Sequence, residues 1–225
     1  MIAVVLTFAS GASDVASFTR LGGVFTSVMT GNMAVFGLAL ARGSLSLALH
    51  TLLAVCGYVL GVAAGTRLAW FHAGQGAGQE RPPHLTLTLV LECLLYAGVA
   101  AGWEATGAQP SGATQYTLLV MAACAMGIQS AAVRQMGIGN VSTTYLTGTL
   151  TDLVSALVRR DGKPVGWRRQ SVLLGLLTGA TFAGLCVAYA ATVTPLLPLA
   201  AISTATALES GRLPRRGTVH RRRGG

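Results

Sequence analysis

The chain has 225 residues, of which 52% are hydrophobic and 10% charged, against about a quarter charged in an ordinary soluble domain. Its 29 glycines follow no collagen period and its mean hydropathy is +0.60. A secreted disulfide scaffold, a disordered chain and a water-soluble enzyme all fit poorly, which leaves an integral membrane protein.

Crossing about 30 Å of hydrocarbon takes roughly 20 mostly apolar residues. In chain order the segments that meet or approach this are 1–19, 24–41, 48–70, 85–103, 114–133, 140–158, 171–193 and 194–208; the first, second, sixth and eighth are shorter or weaker. The first has no basic n-region and runs into further apolar sequence, so it reads as a retained span and not a signal peptide. The fold class is all-α: a polytopic transmembrane helix bundle of six to eight spans, forming one integral membrane domain over 1–208. Residues 209–225 are rich in Arg and Gly without an apolar face, which predicts a disordered basic cytoplasmic tail.

The 16 Lys and Arg against 7 Asp and Glu give a net charge of +9. Counting eight spans, twelve basic residues fall on one side: Arg42, the group Arg159, Arg160, Lys163, Arg168 and Arg169, and six arginines of the tail. Arg20, Arg67, Arg81 and Arg134 fall on the other. Because short cytoplasmic loops retain Lys and Arg, this split places both termini in the cytoplasm. Six spans also fit if the short segments are re-entrant or paired half-helices. A basic tail can bind phosphates, but aromatic interleaving and nucleic-acid motifs are missing, so no nucleic-acid partner is expected.

The most specific feature is self-similarity. Gly22 to Leu40 aligned with Gly139 to Leu157, an offset of 117, gives 7 identities in 19, including Thr30/Thr147 and Gly31/Gly148. Upstream, Gly11 and Ala16 pair with Gly127 and Ala132 at offset 116; downstream, Gly57 and Gly61 pair with Gly175 and Gly179 at offset 118. Two repeated halves, about 1–107 and 114–208, are predicted. With four spans each they would share one orientation. Internal repeats are a frequent plan of transporters, whose sites lie where the repeats meet; duplication of a bundle without transport is the plainer alternative.

Thr30-Gly31-Asn32 and Thr147-Gly148-Thr149 bring small polar side chains and a yielding backbone to membrane depth. Irregular backbone is tolerated there only where protein buries it or it lines a cavity. The two segments therefore read either as facing walls of a polar site or as close helix packing. Ionisable residues inside spans are functional candidates by default. Asp14 and Glu92 are such residues, suited to a proton or cation relay or else to a structural hydrogen bond or a pair with Arg20 or Arg134. Asp152 belongs nearer an interface. Cys56, Cys93, Cys124 and Cys186 stand alone in apolar runs, and the histidines lack metal-ligand spacing. With no catalytic constellation or cofactor signature, no enzyme activity, cofactor or metal is expected.

Taken together, Gly11-x-x-Asp14, the block from Leu21 to Phe25 running into Met29-Thr-Gly-Asn32, and Gly127-x-Gln129 followed by Val141 to Thr149 resemble the YoaK-like family of bacterial multi-pass membrane proteins, a domain of unknown function. The resemblance covers about residues 1–208. It implies a helical inner-membrane protein and supplies no substrate. Ser130 and Val15 depart from the Asn and Ala expected after Gln129 and Asp14. The leading expectation is a small transporter or permease whose site is lined by Asp14, Thr30, Gly31, Asn32, Gln129, Thr147, Gly148 and Thr149, with Glu92 as a second acid. Its partners would be the bilayer and a small solute, proton or cation. The rival is a non-catalytic membrane scaffold or assembly partner; oligomeric state is left open.

Overall fold

The computed structural model describes residues 1–73, 84–135 and 167–211, together with residues 148, 150, 151, 154, 155 and 158. The helices are α1 (Ile2–Arg20), α2 (Met29–Ala41), α3 (Leu45–Ala73), α4 (His84–Ala105), α5 (Gly112–Gln135), α6 (Trp167–Tyr189) and α7 (Leu196–Ser210), with a 3-10 turn at Ala191–Val193 before the last. Among the described residues six helices are long and apolar enough to cross a membrane: α1, α3, α4, α5, α6 and α7 with its preceding turn.

Segment 24–41, expected as a span, is too short. Its helix has 13 residues, a rise of about 20 Å against the roughly 30 Å of a hydrocarbon core. Helix α1 ends where Gly22 and Gly23 take φ of 100° and 74°, a region that L side chains avoid. Residues 21–28 are consequently a loop. The expected break between 193 and 194 also moves. Pro195 has no N–H to continue a helix, and the chain passes from Tyr189 through the 3-10 turn into α7. Most of the expected segment 140–158, and the basic tail from 212 onward, lie outside the described residues.

Three layers of apolar contact show how the helices run. At one end Ile2 and Leu6 of α1 pack with Leu85 and Leu89 of α4, Ala132 and Val133 of α5, and Ala205 of α7. In the middle Ala9 meets Tyr96, Val99, Ala122, Ala125, Met126, Ala201 and Ile202. At the far end Ala16 and Leu21 meet Trp103, Leu118 and Leu119. Residue numbers rise together in α1 and α4 and fall in α5 and α7, so the second pair runs antiparallel to the first.

At the far end, hereafter the Arg20 face, the Gln115 side-chain N–H donates to the Arg20 carbonyl at 2.9 Å. The Gln115 amide oxygen lies 3.2 Å from Nε2 of His50 in α3. The start of α3 therefore returns to the face that α1 reached, and α2 enters and leaves on that face. The windows of α1 and α5 are each 67% buried, against 22% to 39% for the other four spans; α1 and α5 are the central pair. The outer helices turn Leu52, Val59 and Leu60 of α3 and Leu174, Leu177 and Leu185 of α6 outward, as lipid-facing helices do.

Two seams bring backbone against backbone. A Cβ on Gly61 of α3 would strike the Cys124 carbonyl of α5, and one on Gly127 would strike the Tyr58 carbonyl across the same seam. Between α1 and α6, a Cβ on Gly179 would strike the Phe8 carbonyl and one on Gly11 the Leu176 carbonyl. Lipid offers no hydrophobic drive for helix association, so close approach of small residues supplies it. Gly179→Ala should force α1 and α6 apart and destabilise by about 1–3 kcal/mol, the usual cost of overpacking. Gly184→Ala, where a Cβ meets nothing within 4 Å, should gain up to about 1 kcal/mol from helix propensity. Melting of both variants in detergent checks this; equal melting temperatures would remove the seam as a constraint.

Candidate functional site

Several buried polar residues of the spans lie on α1, α4 and α5. Helix α1 carries Ser10, Ser13, Asp14 and Ser17 on buried positions between Ala9, Gly11, Ala12 and Ala16. Small side chains make that stretch thin and let neighbours reach its hydroxyls.

Asp14 faces the loop that follows its own helix. Its Oδ1 accepts from the backbone N–H groups of Thr26 and Ser27, both at 2.8 Å, and from the Thr26 hydroxyl at 3.0 Å. Its Oδ2 accepts from the Ser27 hydroxyl at 2.6 Å. The carboxylate thus satisfies two consecutive amides that the turn at Gly22 and Gly23 leaves without helical partners. Asn32 clamps the other side of the loop: its Oδ1 accepts from the Phe25 N–H at 2.8 Å and its Nδ2 donates to the Phe25 carbonyl at 2.7 Å.

A chain of hydroxyls leads away from this staple. Thr26 Oγ1 lies 2.7 Å from Ser13 Oγ, and the Tyr96 hydroxyl of α4 donates to Ser13 Oγ. Each hydroxyl has one proton to give. Since Thr26 spends its proton on Asp14, Ser13 donates to Thr26, and every bond from Tyr96 onward points at the carboxylate. One turn back along α4 lies Glu92, fully buried, and Tyr96 is close enough to interact electrostatically with both Asp14 and Glu92. Both Glu92 carboxyl oxygens lack a hydrogen-bond partner. On α5, Gln129 Nε2 donates to the Leu6 carbonyl at 3.1 Å and to Ser10 Oγ at 2.7 Å, while its Oε1 has no partner.

The sequence candidates therefore separate. Asp14 and Asn32 hold the same loop from opposite sides. Glu92 and Gln129 lie on the inner faces of α4 and α5. Thr30 is exposed on the first turn of α2, and a Cβ on Gly31 would meet the side chains of Val28 and Phe25. Gly148 is exposed with open space around it; Thr147, Thr149 and Asp152 lie outside the described residues, as does any meeting of the two Thr-Gly segments. Sequence reasoning missed Ser13, Thr26, Ser27 and Tyr96. Nothing in a sequence ties an acid to hydroxyls 12 and 13 residues downstream.

An apolar pocket of about 160 Å³ between α2 and α3, lined by Met33, Phe36, Thr51, Leu52 and Val55, lies apart from these groups. Among the described residues no three His, Cys, Asp or Glu come together where a metal ion could sit. The polar groups that do converge are oxygen donors and acceptors, suited to protons, hard cations or small polar solutes.

The family described as "Protein of unknown function (DUF1275)" matches residues 2–208. The UPF0700 transmembrane protein YoaK of Bacillus subtilis (strain 168) is 30% identical over 155 residues, 69% of this chain. The match spans 65% of that relative's length. No solved structure matches the chain.

Asp14→Asn should loosen the loop. The amide replaces one acceptor oxygen by a donor, which removes either the acceptor of the two N–H groups or the Oδ2 that accepts from Ser27, at a cost of about 1–3 kcal/mol. Hydrogen exchange at the amides of Thr26 and Ser27 should speed up and the melting temperature fall. Unchanged exchange there would show that the carboxylate does not hold the loop.

Proposed function

The chain belongs to the DUF1275 family, and we propose that it is a small transporter of the bacterial inner membrane, built from two inverted repeats that meet along a polar seam. The observation that carries this reading is the pairing of backbone approaches. Gly57 and Gly61 face the carbonyls of Val120 and Cys124. Moving the glycines forward by 118 residues and the carbonyls back by 116 gives Gly175 against Val4 and Gly179 against Phe8, the other observed seam. The same shifts carry Gly127 against Tyr58 into Gly11 against Leu176.

Among the described residues each half has three long helices, and counterparts run in opposite directions, as α1 and α5 do. The pseudo-axis then lies in the membrane plane and not along its normal, the arrangement that eight spans would have required. Inverted repeats of this kind place substrate and ion sites at the midplane between halves, often beside broken or short helices. Helix α2 is such a short helix, and residues 148–158 are its counterpart by sequence. The seam contains Glu92, Gln129, Ser10, Ser13 and Tyr96; Asp14, Thr30, Gly31 and Asn32 shape the segment beside it, and Thr147, Gly148 and Thr149 are matched to Thr30, Gly31 and Asn32 by sequence alone. The reading gives the protein no enzymatic step and no cofactor.

Charge supports an orientation. Arg20 and Arg42 belong to the Arg20 face, whereas Arg67, Arg134, Arg168 and Arg169 lie near helix ends on the opposite face, and the other ten Lys and Arg belong by sequence to the segments that adjoin those ends. The positive-inside rule makes that opposite face, with both termini, cytoplasmic. In a cysteine-free background, Arg42→Cys should react with an impermeant maleimide on intact cells, and Arg160→Cys only after lysis; the reverse pattern would overturn the orientation.

Transport itself is tested in vesicles that contain the purified protein and an entrapped pH-sensitive dye. Small polar solutes added outside should change the internal pH or collapse an imposed pH gradient faster than in protein-free vesicles. If no solute or gradient distinguishes the two, the transport reading falls. The scaffold reading, which the glycine seams also support, then takes its place.

A further inference from the structure

Three buried oxygens near the middle of the bundle stand without a donor: Oε1 and Oε2 of Glu92 and Oε1 of Gln129. Glu92 is 0% exposed and Gln129 6%. Their helices run antiparallel in a register that brings the two residues level. Leu89 packs with Ala132 and Val133 on one side of them, and Tyr96 with Ala125 and Met126 on the other. Helix α1 fixes the amide's orientation. The Leu6 carbonyl only accepts, so the Gln129 nitrogen must face α1, and Oε1 is the atom left over.

An acid that reaches membrane depth without a partner is rare and costly, and here an unpaired amide oxygen accompanies it. We infer that Glu92 and Gln129 form a binding site for one unit of positive charge, a proton or a sodium ion, at the seam between the halves. The inference deepens the transport reading and rests on it for its purpose, since the bound charge would be the coupling ion. A proton on the Glu92 carboxyl donates to Gln129 Oε1 and pairs two of the three orphans at once. A sodium ion instead takes all three oxygens as hard ligands, with the Ser10 hydroxyl adjoining. Tyr96, on the same helix, interacts electrostatically with Glu92 and also with Asp14 of α1. Helix α5 contributes Gln129, and α7 presents Ser203 and Thr206 to the neighbouring Cys93.

Binding can be read without transport. Infrared spectra of the purified protein should contain a carboxyl C=O stretch, titrating with pH, that is lost in Glu92→Gln and shifted in Gln129→Leu; the Asp14→Asn variant should retain it. If the ion is a proton, sodium and potassium chloride act alike on this band. If it is sodium, sodium chloride alone removes the band at fixed pH and raises the melting temperature, and Glu92→Gln abolishes both effects. Should Glu92→Gln fail to fold, the shift in Gln129→Leu carries the same test. Identical carboxyl bands and identical sodium responses in wild type and variants overturn the site. Binding without flux of any solute leaves the site standing and removes the transport reading; flux without the band or a sodium response does the opposite.

Discussion

Contact between helix backbones at Gly11, Gly61, Gly127 and Gly179 sets the spacing of this bundle. Lipid tails are as apolar as leucine, so burying leucine against leucine gains little inside a membrane. What remains is van der Waals contact at short range, and only residues without side chains permit backbones to come that near. The two seams tie the outer helices α3 and α6 to the central helices α5 and α1. Once they are set, α4 and α7 close over the central pair, and the inner faces of α1, α4 and α5 are brought together with their hydroxyls and acids.

The same solvent makes every unpaired backbone group expensive. Residues 21–28 form no helix, and the protein answers with side chains: Asp14 takes two amides and two hydroxyls, and Asn32 takes both polar groups of Phe25. Irregular chain is held at this place because an acid and an amide have been committed to it. Glu92 stands in contrast. It occupies an equally buried position with none of that work to do, and this separates it from Asp14 more sharply than their shared chemistry suggests.

Much of the bundle was legible because apolar runs of membrane length are hard to mistake: 48–70, 85–103 and 114–133 fall inside α3, α4 and α5. The errors came where length was marginal. Segment 24–41 looked like a span because its loop is as apolar as its helix, and only the paired glycines at 22 and 23 hinted at a reversal. Losing that span alters the parity of the first half and with it the relation expected between the halves. For the polar groups, sequence identified Asp14, Asn32, Glu92 and Gln129 but not their partners. The staple joins residues across a turn and the hydroxyl chain joins different helices, and neither leaves a periodic trace.

Helix α1 is the least apolar of the six spans, and the glycine at its centre docks on Leu176, 165 residues later. At the usual pace of ribosomal synthesis that partner emerges on the order of ten seconds or more after α1 does. Asp14 meets its partners Thr26 and Ser27 early in this interval and Ser13 meets Tyr96 of α4 midway through it, whereas the α6 seam forms only at its end. Helix α1 is thus completed late, because its glycine-lined face stays open until α6 has been made.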